Sequence, residues 1–100
     1  MLVRVGDAKD VVENGMSVFE VAGTNVSIAN TLGNLYAFDD KCTHSGCSLA
    51  KGKLDGTTVT CPCHGSQFVI TTGAIIRGPA ERPVRSRLVE VEGEGLLVGS

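Results

Sequence analysis

No apolar run in this chain approaches the ~20 residues that a membrane-spanning helix requires, and no basic block interrupts it. The 9 Lys and Arg and the 11 Asp and Glu are spread along the sequence, for a formal net charge of −2. Tryptophan is absent and only three Phe and one Tyr are present. A nucleic-acid interface therefore has neither the charged stripe nor the interleaved aromatics it needs. The N-terminus runs Met1-Leu2-Val3-Arg4-Val5 and meets charge by Asp7, without a secretory apolar core or a twin-arginine signal. The expected location is the cytoplasm. Repeats, linkers and low-complexity tracts are missing too, and an apolar content of 42% is that of a folded globule rather than a disordered chain. A second core would need more chain than 100 residues provide, so one domain over 1–100 is expected.

What the chain has in quantity is glycine, 13 in all, set between short segments of β-branched and aromatic residues. These segments predict strands near 2–5, 17–21, 25–29, 34–38, 57–61, 67–70, 74–76, 84–91 and 95–98. Asn14-Gly15, Gly23-Thr24, Gly33-Asn34, Asp55-Gly56, Thr72-Gly73 and Gly93-Glu94-Gly95 supply the turns between them. Many short strands with a turn every 8–12 residues indicate an all-β sandwich or small barrel. Asp7 is placed to cap one helical turn over 8–13, which Asn14-Gly15 would end.

All four cysteines and both histidines fall between residues 42 and 64, as Cys42-Thr43-His44, Cys47 and Cys61-Pro62-Cys63-His64. Each of the two outer segments offers a thiolate and an imidazole, and each sits at a strand end, on a loop held by a sheet. Two cysteines with two histidines are the ligand set of a [2Fe–2S] centre in which histidines replace two cysteines on one iron. They are also a closed tetrahedral zinc set. Zinc-finger spacing, however, pairs the histidines on a helix, and zinc leaves Cys47 and Cys63 without a role. A redox dithiol at Cys61-Pro62-Cys63 lacks the Cys-x-x-Cys spacing at a helix N-terminus.

The chain resembles the Rieske proteins. Their pattern, Cys-x-His, some sixteen residues, then Cys-x-x-His, is matched by Cys42-Thr43-His44-Ser45-Gly46-Cys47 and Cys61-Pro62-Cys63-His64-Gly65-Ser66, with Gly73 and the loop Gly78-Pro79-Ala80 following. The likeness is strong over 35–83, and the cluster-binding subregion covers about 40–83. It implies the Rieske fold of three antiparallel sheets with the cluster loops at one tip. It further implies one [2Fe–2S] cluster held by Cys42 and Cys61 on the inner iron and by His44 and His64 on the outer. Cys47 and Cys63 match the disulfide of a subset of the family. Ser66 matches a serine that donates to a cluster sulfide. Phe68 stands where high-potential members carry a tyrosine bonded to a ligand sulfur. Gly78, Pro79 and Pro83 belong to the proline loop that covers the cluster.

The function so implied is a soluble, monomeric one-electron carrier between a flavin-dependent reductase and a terminal Rieske non-haem iron oxygenase. It is not itself an enzyme: a mononuclear iron site needs further histidines, and both are committed. Two alternatives are a small Rieske subunit of a larger oxidoreductase, similar to those of nitrite reductases or arsenite oxidases, and a zinc-stabilised interaction module. Lys41, Lys51, Lys53 and Arg77 lie near the cluster loops in sequence and are candidates for a docking surface.

Overall fold

The computed structural model describes residues 1–99; Ser100, the last residue of the expected 1–100 domain, lies outside the described residues. Eleven strands form among them: β1 (Leu2–Asp7), β2 (Gly15–Val21), β3 (Thr24–Thr31), β4 (Asn34–Asp39), β5 (Lys53–Asp55), β6 (Thr58–Thr60), β7 (Gln67–Val69), β8 (Ile75–Arg77), β9 (Ser86–Arg87), β10 (Val89–Glu92) and β11 (Gly95–Gly99). They make three antiparallel sheets, ordered β1-β11-β10, β2-β3-β4-β9 and β5-β6-β7-β8. The expected all-β fold of three antiparallel sheets is the one observed.

The central sheet is shaped by its turns. Val21 pairs with Thr24 and Thr31 with Asn34, so two residues close each hairpin. Ala22-Gly23 (φ 50° and 84°) and Leu32-Gly33 (φ 54° and 79°) are both left-handed at both positions. That geometry matches the right-handed twist of the flanking strands. Between these turns, Val26, Ser27, Ile28 and Ala29 are all buried, which a strand with one wet face would not allow. Successive side chains leave opposite faces of the sheet, and each face has its own core. Val26, Ile28 and Ala37 pack with Leu96 and Val98 of the terminal sheet. Ala29 and Phe38 pack on the other side with Leu49, Val59, Phe68 and Ile70, around Cys42 and Cys61. Each such large side chain, fully buried, contributes roughly 1.5–3 kcal/mol.

Three local expectations need correction. The single strand expected over 84–91 is two, β9 on the central sheet and β10 on the terminal one, and the chain changes sheet at Leu88, which is 63% exposed. Arg87 fixes this crossing: its Nε donates to Asp39 Oδ1 at 2.6 Å and a guanidinium N–H to the Gly99 carbonyl at 3.0 Å. Strand β5 was not expected. Its three residues expose Lys53 and Asp55, and it begins beside Gly52, where a Cβ would lie 1.9 Å from the Thr60 carbonyl oxygen. The turn expected over 8–13 is only a 3₁₀ turn at Ala8–Asp10, because Val11 leaves it in extended backbone to enter the core. A second 3₁₀ turn, Leu49–Lys51, follows the first cluster loop.

Candidate metal centre

The two cysteine–histidine segments form two loops that turn through the same hydrogen bonds. Cys42 N–H donates to the Cys47 carbonyl (2.9 Å) and Gly46 N–H to the Cys42 carbonyl (2.8 Å); Cys61 N–H donates to Ser66 (2.8 Å) and Gly65 N–H to Cys61 (3.2 Å). Gly46 and Gly65 both sit at φ 77°, a conformation costly for a residue with a Cβ. Each loop thus starts on a cysteine and turns on a glycine four residues later. The histidines break the match, His44 following its cysteine by two residues and His64 by three. That offset leaves Cys63 at the place His44 takes in the first loop. Cys63 is joined there to Cys47 in a disulfide with Cα atoms 6.4 Å apart.

The donors divide into an inner and an outer pair. Cys42 and Cys61 are free thiols, 1% and 2% exposed. His44 and His64 are exposed, their rings 5.0 Å apart and edge-to-face. Among the described residues no three His, Cys, Asp or Glu side chains are grouped as the ligands of a single metal ion would be. Desolvation pushes the Cys42 thiol pKa up, but the N–H groups of Ser45 and His44, the Ser45 hydroxyl and the Cys61 thiol outweigh it, and the net shift is downward. A lowered thiol pKa favours the thiolate, the form that binds metal.

The loops are held from two sides. Thr43 Oγ1 donates to the Arg82 carbonyl at 2.6 Å, and Ala80 N–H donates to Ser66 Oγ at 3.0 Å. The proline loop is thereby tied to both cluster loops. Its anchors are the backbone at Ala80 and Arg82, whereas Gly78, Pro79 and Pro83 face solvent. The loop returns to the fold at Gly73, whose carbonyl accepts from Val84 N–H at 3.0 Å. Ser66 is wholly buried, and accepting from Ala80 uses a lone pair and leaves its O–H free to donate. Phe68, wholly buried in the same core as both thiols, offers no hydrogen bond.

Two polar residues of the site went unnoticed in the sequence. Ser45 Oγ lies 3.6 Å from Cys61 Sγ and accepts from Cys47 N–H at 3.4 Å. Asp40, 5% exposed, accepts from the Ser27 hydroxyl and, at 2.9 Å, from Ala50 N–H, so its carboxylate braces both ends of the first loop. A hydroxyl directly after His44 and an acid two residues before Cys42 were the available signals. Of the four cations expected near the cluster, Lys41 lines an open groove of about 950 Å³ beside His44; Lys51, Lys53 and Arg77 are exposed but outside it.

Two shielded thiols and two exposed imidazoles, on twin loops of a three-sheet β domain, are the donors that a mixed cysteine–histidine [2Fe–2S] protein requires. The residues fit that group in number and type. The sequence profile of the Rieske [2Fe-2S] domain matches residues 1–88, and the chain belongs to that family. A Rieske domain binds one [2Fe–2S] cluster, which sets the zinc alternative aside. The chain is 30% identical over 97 residues to the ferredoxin component of biphenyl 2,3-dioxygenase from Rhodococcus jostii (strain RHA1), covering 97% of this chain and 91% of that protein. Among solved structures it is similar to the ferredoxin of carbazole 1,9a-dioxygenase from Nocardioides aromaticivorans IC177, with a TM-score of 0.92, 29% identity, and coverage of 99% and 97%. A ferredoxin–oxygenase complex of carbazole 1,9a-dioxygenase matches with a TM-score of 0.90 and 29% identity, covering 98% of this chain and 92% of the matched one.

Proposed function

We propose that this chain is a one-electron carrier, a single domain over 1–100 whose cluster is held by Cys42 and Cys61 inside and by His44 and His64 at the surface. The match along nearly its whole length to dioxygenase ferredoxin components carries this reading. When bound, the cluster supplies a site for one electron. Two ferric ions, two sulfides, two thiolates and two neutral imidazoles sum to zero charge, so adding an electron is easier than at an all-cysteine cluster.

The chain does the rest. Burial of Cys42 and Cys61 keeps water from the thiolates, while the exposed imidazoles bring the redox site to the edge of the molecule. The disulfide and the Thr43 and Ser66 hydrogen bonds hold both loops in place. A site that moves little when its charge changes exchanges electrons readily. The partners on this reading are a flavin-dependent reductase and a terminal Rieske oxygenase, the second supported by the related ferredoxin–oxygenase complex. The carrier works as a cytoplasmic monomer and makes no bonds itself; among the described residues no helix is long and apolar enough to cross a membrane. The disulfide favours a second reading, a Rieske subunit within a larger oxidoreductase.

The test is single alanine variants at Cys42, His44, Cys61 and His64. Each is expected to fold without the visible absorption and reduced-state EPR signal of the parent. A variant that keeps both signals removes its residue from the ligand set. Reduction by a flavin-dependent reductase and reoxidation by an oxygenase then checks the carrier role.

A further inference from the structure

Charge of the two signs is divided unevenly between the cluster-bearing segment and the rest of the chain. Residues 41–85, which hold the cluster loops and their cover, carry six cations (Lys41, Lys51, Lys53, Arg77, Arg82, Arg85) against two carboxylates, Asp55 and Glu81. The remainder carries three cations against nine carboxylates, so a lobe of formal charge +4 stands on a base of −6. Part of that positive charge is gathered in one place. The groove beside His44 is lined by Lys41, Arg82 and Arg85, with Thr43, Ser45 and Asn25 between them. Its two acids are already engaged, Asp39 by Arg87 at 2.6 Å and Asp40 by the Ser27 hydroxyl and Ala50 N–H. Among the described residues none of the three groove cations is ion-paired. Only His44 of the two histidines borders the groove.

We propose that this groove docks an acidic surface segment of the redox partner, so that the partner meets the tip from the His44 side. The inference rests on the carrier reading above. Complementary charge at such a groove steers encounter and fixes orientation, and it weakens as salt screens it. Nearness in sequence favours Lys51, Lys53 and Arg77, but the fold places Arg82 and Arg85 beside Lys41 instead, brought there by the return of the proline loop.

Two pairs of substitutions separate this site from a general effect of charge: Arg82→Glu with Arg85→Glu inside the groove, and Lys51→Glu with Lys53→Glu outside it. Both pairs change net charge equally, and visible circular dichroism checks that each keeps the cluster. The first probe is a fluorescent hexaglutamate peptide, whose binding is read by anisotropy. The second is the stopped-flow rate at which ferricyanide takes one electron from the reduced protein, becoming ferrocyanide. The groove pair should weaken peptide binding and slow ferricyanide by about tenfold at low salt, within the range of electrostatic steering. The outer pair should change either by less than about threefold, and salt should erase the difference. Equal losses in both pairs would overturn the proposal, leaving net charge alone. Inorganic phosphate displacing the peptide at equal concentration would overturn it too, assigning the groove to small anions. The anisotropy needs no reducible cluster: if the peptide binds as expected but the protein takes up no electron, the carrier reading fails and the groove stands.

Discussion

Replacing Ser45 with alanine removes a single hydroxyl from the wall between the cluster loops. That oxygen accepts from Cys47 N–H and stands 3.6 Å from Cys61 Sγ, so its proton is available to the sulfur. Donation to a ligand sulfur favours the state in which the sulfur is more negative, which is the reduced one. Losing it should therefore lower the reduction potential. A hydrogen bond to a charged group is worth about 1.5 kcal/mol, and ~1.4 kcal/mol corresponds to ~59 mV in a one-electron couple. For a contact of 3.6 Å that is made to the oxidised sulfur as well as to the reduced one, about half that effect, some 30 mV, is the expected fall. Protein-film voltammetry on the parent, Ser45→Ala and Ser45→Thr at one pH and ionic strength measures it. Threonine keeps the hydroxyl and should restore the potential. If the alanine protein folds with its cluster and its potential is unmoved, the hydroxyl does not donate to Cys61 and the reasoning fails.

Phe68→Tyr places a hydroxyl in the core that surrounds both thiols and should raise the potential, by up to ~60 mV if the new bond forms with the reduced site; the same voltammetry checks it. Changing Cys47 and Cys63 together to serine should leave a coloured protein of lower stability. A bridge across 16 residues is worth about 3 kcal/mol, read as an earlier midpoint in a denaturant titration. Gly73→Ala should be harsher than its size suggests. Its Cβ would lie 1.9 Å from the Val84 carbonyl oxygen at a φ of 83°, and the left-handed conformation alone costs roughly 1–2 kcal/mol. A melting temperature within ~2 °C of the parent would show that the two backbones can part there without cost.

What the sequence made legible was whatever is encoded within a few residues. Asn14-Gly15, Gly23 and Gly33 mark their turns because positive φ is a local demand, and the cysteine–histidine boxes mark their loops because ligand spacing is local too. What escaped depends on partners far along the chain. Asp40 reads as one acid of a pair until Ser27, thirteen residues earlier, and Ala50, ten later, are seen to donate to it. Thr43 meets the proline loop across 39 residues, and Arg82 and Arg85 join Lys41 only because that loop folds back. Strand β5 is too short and too charged to carry a period of two. The segment 84–91 has no Gly, Pro or Asn to mark a break at Leu88, although the chain changes sheet there.

The pairing of Leu2 with Gly99 makes the chain nearly a closed ring. Its first and last strands are hydrogen-bonded neighbours in the sheet packed on the face of β3 away from the thiols. A few residues of linker would join them, and the ring could be reopened at Leu32-Gly33, an exposed tip whose Leu32 is held at positive φ. Circular permutants tolerate new ends at such tips. The permuted chain would keep both cluster loops uncut and bring them, with the proline loop, ahead of β1 to β3 in the order of synthesis.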